Sequence, residues 1–479
     1  MTYKKIIQKL TVLIFAATLM FLGAVPSFAS ESLFEGAPEP PDTTATSVIL
    51  MDASNGEILY EKNAYKKRDP ASITKILNCL VCLDRLDLDK EVTVDAVQDQ
   101  EGSYMKLKVG ETIKVRDIMY AMMLWSANDG AAFLGRLAAD GDLDAFCDLM
   151  NAKAKELGAK NTKYVNPNGL NNEAINNITT AYDIAVTIKE GMKDERFREI
   201  VGTQEYVIPA TNKSKKRELT NSNMCLWSDL IKDAADGETE ALDKYTEEYK
   251  SDPYNYVSDD EAAVRQAARD EAKLISSLMY KPCIGVKTGY SSTAGDCFAG
   301  YAKKGNTEII AVVLNAPHTK NKFQDAKKLW KYAYNTFQTY TAQKGEDFEY
   351  DLDVKRGALR EVALGMQEDL NVTVFKNDNP SENVTTEIRL IDEKPMAPIK
   401  KGDVVGKLVA TEDGTIIGSE DLISLEDCGK GGILSYIGFA DEDRLEFFVL
   451  LAAFLVLLRI VFVSRRKRLR KKMRTRTRS

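Results

Sequence analysis

Residues 68–77, RDPASITKIL, place a serine and a lysine three positions apart, just after a proline. Asp69 can cap a helix and Pro70 suits its first position, which predicts that Ser72 lies in the first turn. Lys75 then shares a helical face with Ser72, so its amine can reach the serine hydroxyl. Burial lowers the pKa of a lysine by disfavouring its charged form. The sequence therefore predicts a serine nucleophile that is activated by a neutral lysine in place of a histidine.

The segments around this motif predict a domain of mixed helices and strands. TSVILMDASNGEILYEKN (46–63) reads as two strands joined by a turn containing Asn55-Gly56. Residues 72–86 are apolar on nearly every side, as in a helix buried in the middle of a domain. Further helical spacing occurs at 117–139, 143–158 and 323–337, and strand alternation at 283–317.

A second candidate motif is WSAND (125–129), which ends a predicted helical segment. Its Ser126 hydroxyl could relay a proton, and its Asn128 amide could bind a peptide carbonyl. By itself this pair is equally consistent with a helix cap. The S-x-x-K spacing of Ser72 and Lys75, taken alone, is also common by chance in a chain of this length. The function therefore depends on whether several such motifs occur together.

A third candidate motif is GVKTGY (285–290), which lies on a predicted strand. Lys287 offers a cation, Thr288 a hydroxyl, and Gly289 a position without a side chain. Such a strand suits an extended peptide that is bound by its backbone and its carboxylate. An ordinary strand edge is the alternative if this motif is taken alone.

The three motifs in this order resemble those of the penicillin-binding D-alanyl-D-alanine carboxypeptidases, which carry S-x-x-K, S-x-N and K-T-G. The resemblance extends over 46–337 and is strong at 49–75, 102–135 and 285–302. Residues 398–410 resemble the second domain of that family. The resemblance implies an α+β fold: a β-lactamase/transpeptidase-like domain with an antiparallel sheet, flanking helices and a helical subdomain. A small all-β domain and a C-terminal membrane helix would follow.

The resemblance also implies a role for each motif residue. Ser72 would be the acylated nucleophile, Lys75 its base, Ser126 the proton relay and Asn128 a ligand of the substrate amide. Lys287 and Thr288 of the K-T-G strand would bind the substrate carboxylate, next to Gly289, and the N–H groups of Ser72 and Tyr290 would form the oxyanion hole. The implied partners are peptidoglycan stem peptides and β-lactam antibiotics, and no metal or cofactor is implied.

Some positions depart from the family pattern. Ala127 stands where the family commonly has glycine, and Asn168 stands where it often has histidine. Three alternatives remain: a β-lactamase, an endopeptidase on the same scaffold, and a wall-binding or β-lactam-sensing protein without turnover. A class A β-lactamase needs a glutamate well beyond S-x-N, but residues 159–169, AKNTKYVNPNG, contain no acid.

Both ends of the chain have the composition of targeting segments. Residues 1–29 combine three lysines, an apolar run and Ser27-Phe28-Ala29, which predicts a signal peptide and an exported protein; a retained anchor helix is the alternative. The apolar run 447–463 precedes a tail, 464–479, with ten basic residues and no acid. It predicts a membrane span with a cytoplasmic tail and the enzyme on the outer face. A helix lying in the membrane surface is the alternative, because Arg459 interrupts the run.

Between these ends the sequence divides into a predicted linker (30–45), a catalytic domain (46–338) with an acidic insertion (228–280), and a β-rich domain (345–427). The insertion reads as a solvated loop with helical pieces. Once the three leader lysines, Arg459 and the ten tail residues are set aside, 51 basic residues face 72 acids, a net charge near −21. Such a surface does not favour nucleic acid. The seven scattered cysteines predict buried thiols, with no disulfide framework.

Overall fold

The computed structural model describes residues 34, 36–99, 101–170, 176–251, 258 and 260–476. The predicted signal peptide, 1–29, lies outside these residues. The chain forms compact units that divide between Thr336 and Phe337. In the sequence-based division, the catalytic domain ends at 338 and the β-rich domain begins at 345.

The first unit contains helices and strands in mixed order. Its helices are α1 (Lys75–Arg85), α2 (Val115–Leu124), α3 (Asn128–Ala138), α4 (Leu143–Glu156), α5 (Ala181–Gly191), α6 (Glu195–Gly202), α7 (Asp229–Asp236), α8 (Thr239–Ser251), α9 (Glu261–Leu278) and α10 (Thr319–Thr336). Its strands are β1 (Ser47–Asp52), β2 (Ile58–Lys62), β3 (Glu91–Thr93), β4 (Thr112–Lys114), β5 (Glu205–Ile208), β6 (Arg217–Thr220), β7 (Cys283–Ser291), β8 (Gly295–Lys304) and β9 (Thr307–Ala316).

A five-stranded antiparallel sheet in the order β2-β1-β9-β8-β7 supports this unit. Side chains alternate between its faces: Ile49 and Met51 join the core that the sheet shares with the helices, whereas Phe298 packs edge-on against Phe323 and Trp330 of α10. The predicted hairpin, the strands within 283–317 and the helix over 323–337 are thereby confirmed. Strand β7, which carries the K-T-G motif, lies at the edge of this sheet.

Helix α1 lies inside the helical part of the unit. It packs against α2, α3, α4, α5 and α6, and every residue from Lys75 to Leu83 is buried. This confirms the prediction of a central helix that is apolar on nearly every side. The buried position also takes the Lys75 side chain away from water.

The start of this helix differs from the prediction. A short 3₁₀ helix, Ala71–Thr74, precedes α1, and the residue before it is Pro70 and not Asp69. Ala71 has φ +45°, a left-handed conformation that costs a non-glycine residue about 1 kcal/mol. This bend, together with the bond from the Ala71 N–H to the Asp69 carboxylate (2.8 Å), lies at the start of the turn that carries Ser72.

Two glycines let other segments approach this turn closely. Gly169 has φ +85°, and a Cβ placed on it would lie 1.9 Å from the carbonyl oxygen of Ala71. A Cβ on Gly289 would lie 3.0 Å from the Pro70 oxygen and 3.2 Å from the Ile73 side chain. The space that Gly289 leaves is therefore filled by the nucleophile turn. The missing side chain at Gly289 thus lets β7 pack against the turn that carries Ser72.

The acidic insertion is more ordered than predicted. Its helices α7, α8 and α9 pack on one another around a small apolar core that includes Leu242, Tyr245 and Ala268. Its two ends lie side by side, because the Tyr280 N–H donates to the Cys225 oxygen at 2.9 Å. The sequence shows the helical pieces, but the contacts between them depend on alanines that carry no distinctive pattern.

The second unit is the predicted β-rich region. Its strands are β10 (Phe337–Gln343), β11 (Tyr350–Asp353), β12 (Glu361–Gly365), β13 (Leu370–Phe375), β14 (Val384–Leu390), β15 (Val404–Glu412) and β16 (Thr415–Ser424). They form a sheet in the order β11-β12-β16-β15-β14 and a separate pair, β10-β13. A single turn of helix, α11 (Pro380–Asn383), and the long C-terminal helix α12 (Arg444–Arg476) complete the unit.

Helix α12 contains the predicted apolar run. Among the described residues it is the one helix long and apolar enough to cross a membrane, over Arg444–Arg468. Its apolar side chains are exposed. The candidate span is 25 residues long, compared with the 17 predicted from the apolar run alone.

Candidate active site

The amine of Lys75 is the centre of the candidate site. Its Nζ lies 3.0 Å from the Ser72 Oγ, 2.7 Å from the Asn128 Oδ1 and 2.6 Å from the Asn168 backbone oxygen. The lysine has no exposed surface, whereas Ser72 is half-buried. The structure therefore brings together the serine and lysine of the first motif and the asparagine of the second.

The surroundings of Lys75 favour the neutral amine. Burial holds its pKa well below the usual range, and the nearby cation of Lys287 lowers it further. The carboxylates of Asp99 and Asp129 act in the opposite direction and are the smaller influences. A neutral amine has two N–H bonds and one lone pair. The two carbonyl oxygens accept the N–H bonds, which leaves the lone pair for the Ser72 hydroxyl.

Asn128 contacts Lys75 itself, whereas the sequence suggested only a contact with substrate. Its Oδ1 accepts from Lys75, and its Nδ2 donates to the Glu101 oxygen at 2.6 Å. The carbonyl end of the side chain is thus occupied by the lysine. Since an amide nitrogen carries two N–H bonds, a substrate role for Asn128 requires the second one.

Ser126 occupies the short connection between α2 and α3. Its φ is +64°, and its buried Oγ has no hydrogen-bond partner among the residues that the structure describes. A strained residue with an unsatisfied hydroxyl is a candidate for function, since both features cost free energy. This hydroxyl forms no hydrogen bond with Ser72 or Lys75 in the structure.

The K-T-G strand supplies a second buried cation. Lys287 is 1% exposed, and its Nζ donates to the Thr288 carbonyl at 3.1 Å. Burial, with a smaller effect of Lys322, lowers its pKa to about 7. Lys322 is itself paired with Asp296 at 2.9 Å. The amine of Lys287 is therefore placed to gain a carboxylate from a ligand.

The next positions of the strand face different surroundings. The Thr288 hydroxyl is buried and lies 2.7 Å from the Ser222 hydroxyl. Tyr290, two positions later, is 68% exposed. Ser222 was not among the predicted site residues, since a serine in a polar loop has no distinctive spacing. Asn168 was noted in the sequence only as a departure from the family pattern, because its contact with Lys75 is made by the backbone.

No metal centre is assigned to this site. Within the described part of the chain, no three His, Cys, Asp or Glu side chains are grouped so that they could share a metal ion. The seven cysteines are buried and unpaired as thiols. In Cys79 and Cys82 of α1, burial raises the pKa of the thiol. These two residues therefore contribute to the apolar core, as the sequence indicated.

Two protein-family models match the chain. A family model described as D-alanyl-D-alanine carboxypeptidase matches residues 35–245 and 239–318. A second model, described as the C-terminal domain of penicillin-binding protein 5, matches residues 334–430. Together they span both units of the structure.

Curated relatives match over most of the chain. The D-alanyl-D-alanine carboxypeptidase DacF of Bacillus subtilis is 29% identical and covers 82% of this chain and 88% of its own length. DacC of Escherichia coli is 28% identical, over 88% of this chain and 92% of its own. A D-alanyl-D-alanine endopeptidase of the same species is 29% identical, over 46% of this chain and 71% of its own.

Solved structures show the same fold. Penicillin-binding protein 5 from Haemophilus influenzae has a TM-score of 0.59 at 24% identity, covering 82% of this chain and all of its own. The protein PBP3 of Streptococcus pneumoniae has a TM-score of 0.55 at 21% identity, covering 81% of this chain and all of its own. With family models matching more than half of its residues, this chain belongs to the D-alanyl-D-alanine carboxypeptidase family of serine peptidases.

Proposed function

We propose that this carboxypeptidase removes the terminal D-alanine of peptidoglycan stem pentapeptides through an acyl-enzyme on Ser72. The observation that carries the proposal is the 3.0 Å contact between the Ser72 hydroxyl and the buried amine of Lys75. A hydroxyl at this distance can pass its proton to the amine as its oxygen attacks. The K-T-G strand, held against the same turn by Gly289, supplies the docking edge.

In the acylation step, Lys75 accepts the proton of Ser72 and the Ser72 Oγ attacks the carbonyl of the penultimate D-alanine. The N–H groups of Ser72 and Tyr290 stabilise the oxyanion. The proton then passes from Lys75, through the Ser126 hydroxyl, to the nitrogen of the departing D-alanine. The bond between the two D-alanines breaks, and the acyl group remains on Ser72.

In the deacylation step, water attacks the ester carbon. Lys75, neutral again, takes one proton from the water and returns it to the Ser72 oxygen as the ester bond breaks. The products are the free serine and the shortened peptide, whose new carboxyl group releases the second proton of the water to solvent. The reaction is therefore balanced without a cofactor.

Recognition of the substrate falls to the edge strand. The ammonium of Lys287 and the hydroxyl of Thr288 bind the terminal carboxylate, which gives Lys287 a charge partner that no residue described by the structure supplies. Asn128 binds the substrate amide through its second N–H. β-Lactams, which carry a carboxylate and a strained amide, occupy the same positions and acylate Ser72. The names of the solved relatives, which are penicillin-binding proteins, support this part of the proposal.

An endopeptidase that cuts crosslinked peptides is the second candidate on this scaffold. The endopeptidase relative matches less than half of this chain, whereas the carboxypeptidases match both of its units. This difference favours the carboxypeptidase. Comparison of crosslinked with uncrosslinked muropeptides as substrates separates the two activities.

The full chain in detergent should remove one D-alanine from a pentapeptide ending in D-Ala-D-Ala, as mass analysis would show.

Ser72→Ala should abolish labelling by a fluorescent penicillin. Lys75→Ala should slow it by a factor of about 100 to 10,000, because a general base contributes that much. Lys320→Ala, which removes an exposed lysine, is the control and should label normally. Normal labelling of Lys75→Ala would contradict the assignment of the base.

The two buried lysines predict a bell-shaped pH profile for kcat/KM. The pKa of Lys75 is depressed, so activity should be present above it and lost as pH falls through it. Lys287 binds carboxylate only when protonated, so activity should also be lost as pH rises through about 7 in the free enzyme. The substrate carboxylate raises the pKa of Lys287, so the alkaline limb of kcat should lie at higher pH.

Lys287→Arg is the matched variant for the alkaline limb. Arginine keeps its charge at all accessible pH values, so this limb should disappear whatever the loss in absolute rate. Steady-state rates of pentapeptide hydrolysis between pH 5 and pH 10 are the measurement. An alkaline limb that persists unchanged in Lys287→Arg would show that another group causes it.

We propose that the enzyme is exported and is anchored to the outer face of the cytoplasmic membrane by α12. Residues 447–458 are twelve consecutive apolar residues, so the helix has no polar face over three turns. This favours a span over a helix lying in the surface. At 1.5 Å per residue, the 25-residue segment is about 37 Å long, enough to cross the hydrocarbon core. The basic tail then lies in the cytoplasm.

Removal of residues 444–479 should move the protein from the membrane to the soluble fraction while preserving penicillin labelling. The full chain should remain in the membrane after an alkaline carbonate wash, which strips peripheral proteins. Release of the full chain by carbonate would favour the helix that lies in the surface. Retention of the truncated protein in the membrane would place the anchor elsewhere.

A further inference from the structure

An acidic side chain that has no part in the reaction steps above is connected to the catalytic lysine. The backbone oxygen of Asn168 accepts from the Lys75 Nζ at 2.6 Å, and the side-chain Nδ2 of the same residue donates to the Asp99 Oδ2 at 2.7 Å. Asn168 is 1% exposed, and Asp99 is half-buried. Asn168 thus joins the lysine to a carboxylate that lies 69 positions before Asn168 in the sequence.

The remaining polar groups of Asn168 are also bound. Its Oδ1 accepts from the Leu170 N–H at 2.9 Å, and its own N–H donates to the Asn166 side chain at 3.3 Å. The local turn therefore fixes the oxygen end of the Asn168 amide, and Asp99 fixes the nitrogen end. The carbonyl that receives a Lys75 N–H is held by this arrangement.

Asp99 is itself set in a defined conformation. Its φ is +56°, a left-handed conformation that aspartate tolerates better than most residues. Burial raises the pKa of its carboxyl group, and the bond from Asn168 opposes that shift. Its negative charge also acts on Lys75, where it favours the ammonium.

Charged groups face Lys75 from several elements. Lys287 on β7 repels the ammonium, while Asp129 at the start of α3 and Asp99 on the preceding loop attract it. Asp129 is committed to the backbone N–H groups of Met105 and Leu107, at 2.9 and 3.0 Å. Asp99 is therefore the carboxylate that combines a charge effect on the lysine with a bond to the residue that holds it.

We propose that Asp99 is a positioning residue for the catalytic lysine: it holds Asn168, and through the Asn168 carbonyl it directs the lone pair of Lys75 at Ser72. The inference rests on the proposed function, in which Lys75 is the base. It also explains the asparagine at position 168. The amide of this side chain donates to Asp99 and accepts from the local turn, and an apolar side chain could do neither.

The test is the rate of acylation by a fluorescent penicillin as a function of pH, measured on the full chain in detergent. Asp99→Asn keeps an acceptor of the same shape but removes the charge. The pKa of Lys75 should then fall, and the acid limb of the profile should move to lower pH. Asp99→Ala removes the acceptor as well, and its plateau rate should fall about tenfold, as for other partners that orient a catalytic group.

Asp95→Asn is the matched control. Asp95 lies four positions earlier on the same loop, is exposed, and is paired with Arg136 at 2.9 Å. The Asp95→Asn variant should have the same acid limb and the same plateau rate of acylation as the unsubstituted protein. Thermal unfolding checks that each variant is folded, and if Asp99→Ala is not, the profile of Asp99→Asn decides.

The inference would be overturned if two results occurred together. The acid limb of Asp99→Asn would coincide with that of the unsubstituted protein, and the plateau rate of folded Asp99→Ala would be unchanged. An equal shift in Asp95→Asn would also overturn it, because the effect would then be a general one of surface charge. Failure of the proposed function would be seen differently, as normal labelling of Ser72→Ala or Lys75→Ala.

Discussion

The site depends on the cost of keeping a charged amine out of water. An ammonium at Lys75 could donate to all three oxygens around it, so the contacts alone do not choose between the charged and the neutral form. Burial does, because the lysine is fully enclosed and no carboxylate is bonded to it in the described part of the chain. The neutral form keeps both carbonyl contacts and leaves a lone pair for Ser72. In the proposed mechanism, the ability of Lys75 to act as a base is thus a result of packing.

The rest of the first unit maintains that enclosure. The central position of α1 buries the lysine, and Gly169 and Gly289 allow a loop and the edge strand β7 to close on the turn that carries Ser72. The same strand brings Lys287, whose charge disfavours a second ammonium nearby. A substrate carboxylate that neutralises Lys287 reduces this repulsion. In the proposed mechanism, substrate binding and proton transfer are therefore coupled through the two lysines.

The sequence predicts the motif residues, their elements and the family, since periodicity and the order of three motifs are local signals. It does not predict the left-handed Ala71 at the start of the 3₁₀ turn or the close approach of Gly169 to the Ala71 oxygen, because the two segments lie far apart in the sequence. It also misses the Asn168 carbonyl and the Ser222 hydroxyl. A backbone oxygen has no residue identity, and a contact between positions 222 and 288 leaves no spacing to read. The contacts among α7, α8 and α9 likewise leave no pattern in the sequence from which they could be predicted.

The most direct test of the central claim is the titration of Lys75 by NMR, with ¹³C and ¹⁵N in the lysine side chains and Lys75→Arg to assign the signal. Free lysine titrates at about 10.4. The account predicts that Lys75 loses its proton well below that value in the unliganded enzyme and is neutral at the pH of maximal acylation. A Lys75 amine that stays protonated throughout the active pH range would contradict it.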